Sequence, residues 1–571
     1  MLDLVVRNAI IYDGSGMPPF LGEVGVKSGR LVRVGRVPER GDVEVDAAGH
    51  AVAPGFIDVH THFDAQVCWD GLAQPELEHG VTTVVTGNCS LTIAPLHADQ
   101  RDRLCRMFRQ IEDLPMAAFE EGIDWQWESF DGWLGALAGR IGINLAPLVG
   151  HSALRMWVMG EDAFHREATA DEIGAMQAVL EECLDAGASG LSTSYIDVDH
   201  HFKPVPSRLA AHDELRALAS TLGGAGHGIL QVVHEFYDTA KTVERVDMLA
   251  DLSLEYGIPT TLAPLFHNPR APEMVPTVLG RIEEQARRGA RVWPQVQTRP
   301  IDINFRLRER NFMLAALPTW GRVFGLPDLQ QKIDAFSDPA TRSQLVSEAR
   351  PGGDDANLEA LRRRLDHAYI RGVARPENQH LVGRRLDDLA EERGTNPVDV
   401  MIDVALSEDL QTEFKNDGLG HIDVEPVGEM LAHPNVLIGA SDAGAHVQAF
   451  ATYGDTGYLF SQFVRATGAL RTEQAVRRLT LEPALAWGLR DRGLLNPGYA
   501  ADLVVFDPDT IDRGEEVGVS DLPGDGFRYI RHSVGVDTVI VNGAVTWSAE
   551  AGYSAARAGQ VVSLATPAPA G

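Results

Sequence analysis

The stretch Asp58-Val59-His60-Thr61-His62 sets two imidazoles two residues apart at the end of an apolar run. On a strand, residues i and i+2 face the same way, so both rings can reach one ion. Other chemistry-bearing residues stand where later apolar runs end. They are Cys89 in VVTGNCS, His151 in APLVGHS, Ser192 and Tyr195 in GLSTSY, and His234 in LQVVHEF. His267 in APLFHN, Gln297 and Arg299 in PQVQTR, and Asp442 in GASDAGAH complete the series. Imidazole and thiolate suit a borderline transition ion such as Zn²⁺, whereas an oxygen-rich set suits Mg²⁺ or Ca²⁺. Taken singly, each residue has an ordinary alternative. A lone histidine at a strand end, such as His151, is usually a hydrogen-bonded structural group. Asp442 can be a helix N-cap or turn residue. Cys89 can be a buried small hydrophobe, a nucleophile, half of a disulfide or a ligand. Cys105 and Cys183 fall in helical stretches and, with Cys68, read as core.

The elements that must position these residues form a repeating pattern. Eight short apolar runs, from AVAPGFIDVHTHF to NVLIGASDAGAH, alternate with stretches of helical period. One helix opens with a capping box, Thr169 to Glu172, and stops at a glycine. Others are HDELRALASTLGG, AKTVERVDMLADLSLEYG and EMVPTVLGRIEEQARRG. Eight strand–helix alternations predict an α/β fold, a (β/α)8 TIM barrel over residues 56–489, whose parallel strands are buried on both faces. In that architecture the ends of the runs share one rim, where catalytic groups gather. Residues 1–55 and 490–571 have a different texture, with alternating apolar residues broken by Gly and Asp. They predict a small β-sandwich built from both chain termini. Residues 300–434, between the seventh and eighth runs, are far too long for a loop and rich in helix formers. They predict a helical insertion before the last barrel strand, placed to act as a lid.

A formal charge of −31 over 571 residues argues against nucleic acid or an anionic membrane as partner, since both need a basic surface. No apolar stretch reaches the ~18 residues of a membrane span. The start, MLDLVVRNAIIYDG, lacks the layout of a secretory signal. Four cysteines in so long a chain do not make a disulfide framework. These features predict a cytoplasmic protein in which Cys89 is not half of a bridge.

The motifs PGFIDVHTHFD, GNCS, GASGLSTS, SDAGAH and LNPGYAADLVVFDP together resemble the amidohydrolase superfamily, and within it the D-aminoacylase (N-acyl-D-amino-acid deacylase) group. The resemblance covers essentially the whole chain. It implies a metal-dependent hydrolase acting on C–N bonds other than peptide bonds, with a small-molecule amide as substrate. A homo-oligomer is compatible with it. Hydantoinases and dihydroorotases bridge their metals through a carboxylated lysine after the fourth strand. Here that place reads GLSTSY, and the resemblance gives the bridging role to Cys89. It makes Cys89, His234 and His267 the ligands of one tightly held Zn²⁺. His60 and His62, with Cys89 and Asp442, form a second, weaker site. Asp442 matches the family's catalytic aspartate, which takes a proton from the attacking water and returns it to the departing nitrogen.

Two departures bear on the substrate. The family's lysine two residues after the sixth-strand histidine, which holds the substrate carboxylate, is Pro269 here. The usual tyrosine after the fourth strand is offset, with Tyr195 nearest. Substrate contacts are therefore assigned to Tyr195, His151 and Arg299. The last of these can replace the missing clamp through a bidentate guanidinium–carboxylate pair, or can be a structural salt bridge. The leading expectation is deacylation of N-acyl (D-)amino acids or related small amides. The alternatives are a cyclic-amide hydrolase of the hydantoinase kind and a non-catalytic barrel scaffold.

Overall fold

A computed structural model of the chain describes residues 1–349, 365, 367–418, 420–562 and 564. Each of the eight apolar runs contains a parallel strand: β1 (Phe56–Asp58), β2 (Val81–Thr86), β3 (Asn144–Pro147, resuming at Val149–Gly150), β4 (Gly190–Ser194), β5 (Ile229–Val233), β6 (Thr260–Ala263), β7 (Val292–Val296) and β8 (Leu437–Ile438). Helices α1 (Arg101–Ile111), α2 (His151–Met159), α3 (Ala170–Ala186), α4 (His212–Ala225), α5 (Thr239–Tyr256) and α6 (Met274–Arg287) occupy the connections. Thr169 and Glu172 cap α3 reciprocally, as their spacing predicts. Every residue of β2, β4, β5 and β6 is buried. That is the condition of parallel strands covered on both faces, and it explains why these runs lack polar alternation.

The ladder comes in two parallel arcs, one of β1, β2 and β3, the other running from the resumed part of β3 through β4 to β8. The arcs share β3: its first part pairs with β2 and its second with β4. On the other side β1 and β8 are too short to ladder. They meet through the single bridge Thr61–Ala443, with the His62 N–H donating to the Ala443 carbonyl (2.7 Å) and the Asp442 N–H to that of His60 (3.0 Å). The bonds that join these strands thus fix the backbone of three chemistry-bearing residues.

The terminal segments do associate, but as one nine-stranded hydrogen-bonded sheet rather than two separate ladders. Ala51–Pro54 pairs antiparallel with Leu503–Phe506, so the first apolar run divides, giving its start to this sheet and its end to β1. A hairpin, Asp512–Leu522 with Gly526–Val534, leaves that sheet and reaches the rim, where the Tyr529 N–H donates to the Val447 carbonyl. The 300–434 segment is not purely helical. Ile303–Phe305, Glu413–Asn416 and Tyr369–Gly372 form a three-stranded antiparallel sheet, in line with their aromatic and β-branched residues. Most of the stretch DANLEALRRRLDHAYIRG lies outside the described residues, and its end is one of these strands. The segment packs its own apolar cluster around Trp320, Phe336 and Phe414.

Candidate metal centre

The turn after β2 presents Cys89. Gly87, Cys89 and Ser90 all have positive φ (83°, 55° and 63°), a conformation that costs non-glycine residues energy and tends to persist at functional sites. Gly87 is required twice over, because a Cβ there lies 2.3 Å from the Leu148 carbonyl oxygen. The Asn88 amide donates to the Thr61 and Val85 carbonyls. From β4, the Ser192 hydroxyl accepts from the Ser90 N–H at 3.1 Å and donates to the Gly87 carbonyl. Ser192 of β4 therefore braces the cysteine turn.

His60 Nε2, His62 Nε2 and Cys89 Sγ converge, the sulfur 3.7 and 3.8 Å from the two nitrogens. Among the described residues this is the group of three ligand-type atoms lying within 4.8 Å of one another. Asp442 Oδ1 sits 3.0 Å from His62 Nε2 and 3.8 Å from His60 Nε2. Each imidazole is oriented from behind. His60 Nδ1 meets the Gln295 side-chain oxygen at 2.7 Å, and His62 Nδ1 lies 3.1 Å from the Glu112 carboxylate. The Gln295 bond on Nδ1 turns the Nε2 lone pair of His60 toward an ion, whereas Glu112 meets His62 as a charge contact without hydrogen-bond geometry. His234 and His267 fall outside the triplet. His234 is fully buried, with Nδ1 3.2 Å from the Ala263 carbonyl and, among the described residues, no hydrogen-bond partner at Nε2. His267 is held by His421 from the 300–434 segment, whose ring nitrogen accepts from the His267 N–H at 3.4 Å.

Charge divides the two histidines of the triplet. Burial, against the pull of Asp442, brings His60 down to about 4, so it is neutral at pH 7. Burial also opposes charge on His62, but Glu112 and Asp442 overcome it and bring that ring up to about 9. Burial and the carboxylates around it push the Cys89 thiol up. Asp442 is drawn well below the usual carboxylate range, because its bond to His62 and the charge of nearby rings outweigh burial. Without an ion, then, a proton on His62 balances an ionised Asp442. A cation in the triplet can take that balancing role.

Three residues expected to touch substrate are committed elsewhere. His151 uses both ring nitrogens inside the protein, on Thr193 (2.9 Å) and Glu214 (2.8 Å), and Arg155 completes that buried network. Tyr195 continues the strand register one residue beyond Ser194, so its ring turns to the opposite face. There it lies under the Arg245 guanidinium, with its hydroxyl on Met248 of α5. Arg299 is buried, pairs with Asp455 at 2.7 Å and donates to the Ser441 carbonyl, next to Asp442. Of its two expected roles, the structure shows the salt bridge, bracing the Asp442 loop.

Sequence reasoning missed Glu112, Gln295, His421 and His446. His446 stands four residues after Asp442, with its Nε2 3.6 Å from that carboxylate and its Nδ1 3.5 Å from Asp113. The SDAGAH motif carries His446 in plain view, whereas Glu112, just past the end of α1, looks like any surface acid.

The sequence model of the amidohydrolase family matches residues 43–547. The D-aminoacylase of Alcaligenes xylosoxydans xylosoxydans is 28% identical over 570 residues, spanning 98% of this chain and 97% of its own. The N-acyl-D-aspartate deacylase of the same organism is 28% identical over 573 residues, covering 98% and 95%. Among solved structures, an N-acyl-D-glutamate deacylase from Bordetella bronchiseptica, complexed with zinc and a phosphonate mimic of the tetrahedral intermediate, matches with a TM-score of 0.65. It is 25% identical and covers 98% of this chain and 99% of its own. Among the described residues, no helix is long and apolar enough to cross a membrane.

Proposed function

This chain belongs to the amidohydrolase family, and on that premise we propose that it is a zinc-dependent deacylase of N-acyl-D-amino acids or closely related small linear amides. The observation that carries the reading is the convergence of His60, His62 and Cys89 with the Asp442 carboxylate beside them. Zinc bonds of about 2.0–2.1 Å to nitrogen and 2.3 Å to sulfur imply tetrahedral N···S separations of roughly 3.6 Å. The observed 3.7 and 3.8 Å fit a shared ion. His234, whose Nε2 has no hydrogen-bond partner among the described residues, and His267 would supply further ligands, as the family resemblance implies. The two parallel arcs are read as halves of one (β/α)8 barrel, with residues 1–55 and 490–571 as a separate β-domain and 300–434 as an inserted lid.

When bound, the ion supplies Lewis acidity that polarises the amide carbonyl and makes water nucleophilic at neutral pH. The protein does the rest. Asp442, ionised and directed at the triplet, accepts the proton of the attacking water and returns it to the leaving nitrogen. His446, in contact with the other oxygen of Asp442, holds the carboxylate in place, and Arg299 fixes the neighbouring Ser441 carbonyl. The turn braced by Ser192 keeps the cysteine aimed inward. A cyclic-amide reading of the hydantoinase kind lacks its bridging lysine, since β4 offers serines there. A panel of N-acetyl-D- and N-acetyl-L-amino acids with matched carboxamides tests the proposal. Hydrolysis of D-acids by zinc-loaded protein, abolished by chelator and restored by zinc, is expected. Activity unaffected by chelation, or confined to hydantoins, overturns it.

A further inference from the structure

Away from the metal ligands, a hollow of about 200 Å³ lies between α1, the loop after β4 and the 300–434 segment. Arg106, Arg109, Gln110, His200, Arg310 and Phe324 line it, and among the described residues no acidic side chain does. In a chain of formal charge −31, a basic hollow is the reverse of what the average surface provides. Arg106 is paired with Asp102 at 2.8 Å, but among the described residues the Arg109 guanidinium has neither a hydrogen bond nor an ion pair. Arg310 donates to Gln110 and approaches Asp113 only at 3.8 Å. Among the described residues its Nη1 and the His200 Nδ1 are buried without a hydrogen-bond partner. The cations also sense one another. Burial lowers the pKa values of Arg109, Arg310 and His200, and neighbouring cations lower them further, while Asp113 acts in the opposite sense on both arginines and Asp199 on His200. A half-buried guanidinium without a carboxylate partner, beside a buried Nη1 that lacks an acceptor, is what an oxyanion satisfies, and guanidinium presents its donors in the matching geometry. At about 30 Å³ per water, the hollow has room for an oxyanion and part of its hydration.

We propose that this hollow is an oxyanion site, taking a carboxylate or phosphate clamped between Arg109 of α1 and Arg310 of the inserted segment. The ligand is either the distal carboxylate of an N-acylated acidic amino acid, a source that rests on the deacylase reading, or a free anion, which does not. A chain of side chains links the hollow to the catalytic centre. Arg310 reaches Asp113, Asp113 reaches His446, and His446 reaches Asp442, through contacts of 3.8, 3.5 and 3.6 Å.

Calorimetric titration of the metal-loaded full chain with inorganic phosphate tests the site itself. Saturable binding by the parent is expected, weakened at least tenfold in both Arg109→Gln and Arg310→Gln and partly restored in Arg109→Lys. Phosphate held at the metals alone leaves binding equal in parent and variants, and that result, or no saturable binding by the parent, overturns the proposal. Kinetics with N-acetyl-D-glutamate and N-acetyl-D-glutamine then separate the sources. If the substrate carboxylate is the ligand, Arg109→Gln raises the ratio of their KM values tenfold or more, and phosphate competes with the acid only. If a free anion is the ligand, phosphate alters hydrolysis of both alike. Should no form hydrolyse either amide, the deacylase reading falls while the titration still decides the site.

Discussion

Replacing Glu112 with glutamine separates a carboxylate that tunes the metal centre from one that merely fills space. Its side chain is about 1% exposed and its Oε1 lies 3.1 Å from His62 Nδ1. Burial raises the pKa of its carboxyl, and the charge on the His62 ring pulls it back down. Glutamine keeps the volume and the contact with the ring. What goes is the negative charge that raises the basicity of His62. Removing such a partner of a metal-bound histidine typically costs about 10- to 100-fold in affinity, or about 1.4–2.7 kcal/mol. Competition for zinc against a chromophoric chelator at pH 8 measures this directly, with urea unfolding of the metal-free protein run in parallel. Affinity within twofold of the parent, with a lowered unfolding midpoint, makes Glu112 a packing residue and refutes the reasoning.

Further outcomes follow from the same geometry. His62 titrates at about 9 and the Cys89 thiol is pushed up, so both carry protons at pH 7, whereas His60, at about 4, does not. Ligation needs both protons gone; zinc binding at pH 7 therefore releases about two, and affinity climbs with pH until the His62 contribution levels off above 9. Calorimetry in buffers of different ionisation enthalpy counts those protons, and a count near zero contradicts the assignment. Gly87→Ala, at φ 83° with its Cβ against the Leu148 carbonyl, loses at least about 1 kcal/mol of stability in urea. It also weakens zinc retention, because the turn carrying Cys89 must move. Arg155→Met strips the buried Glu214 of a partner and lowers stability by about 3–5 kcal/mol in the same assay. Zinc content measured by metal analysis stays at the parent level, since that network is structural.

How much could be read from the sequence depended on what each signal encodes. His60 and His62 were legible because strand periodicity fixes both residue spacing and side-chain direction. Cys89 was legible because a glycine-led turn ends a fully buried strand. His151 and Tyr195 were misplaced for a related reason: standing at a strand end puts a residue near the rim without saying which way it faces. Tyr195 falls one step out of the inward alternation, and His151 opens α2 with both nitrogens taken. Glu112 and His421 reach the site from beyond the end of a helix and from an insertion. Only tertiary packing brings them there, so no local pattern marks them. The β-elements of the insertion were hidden for a similar reason, as three strands of three or four residues embedded in helix-forming sequence carry little periodicity.

The Asp442→Asn variant, assayed on an N-acetyl-D-amino acid with its zinc content determined on the same sample, tests the central claim most directly. Asparagine is close in shape but cannot accept the proton of water, and general acid–base catalysis of this kind contributes about a hundred- to ten-thousand-fold. The account expects kcat to fall by that order in protein that still holds its tightly bound zinc. Undiminished turnover in the zinc-loaded variant contradicts it.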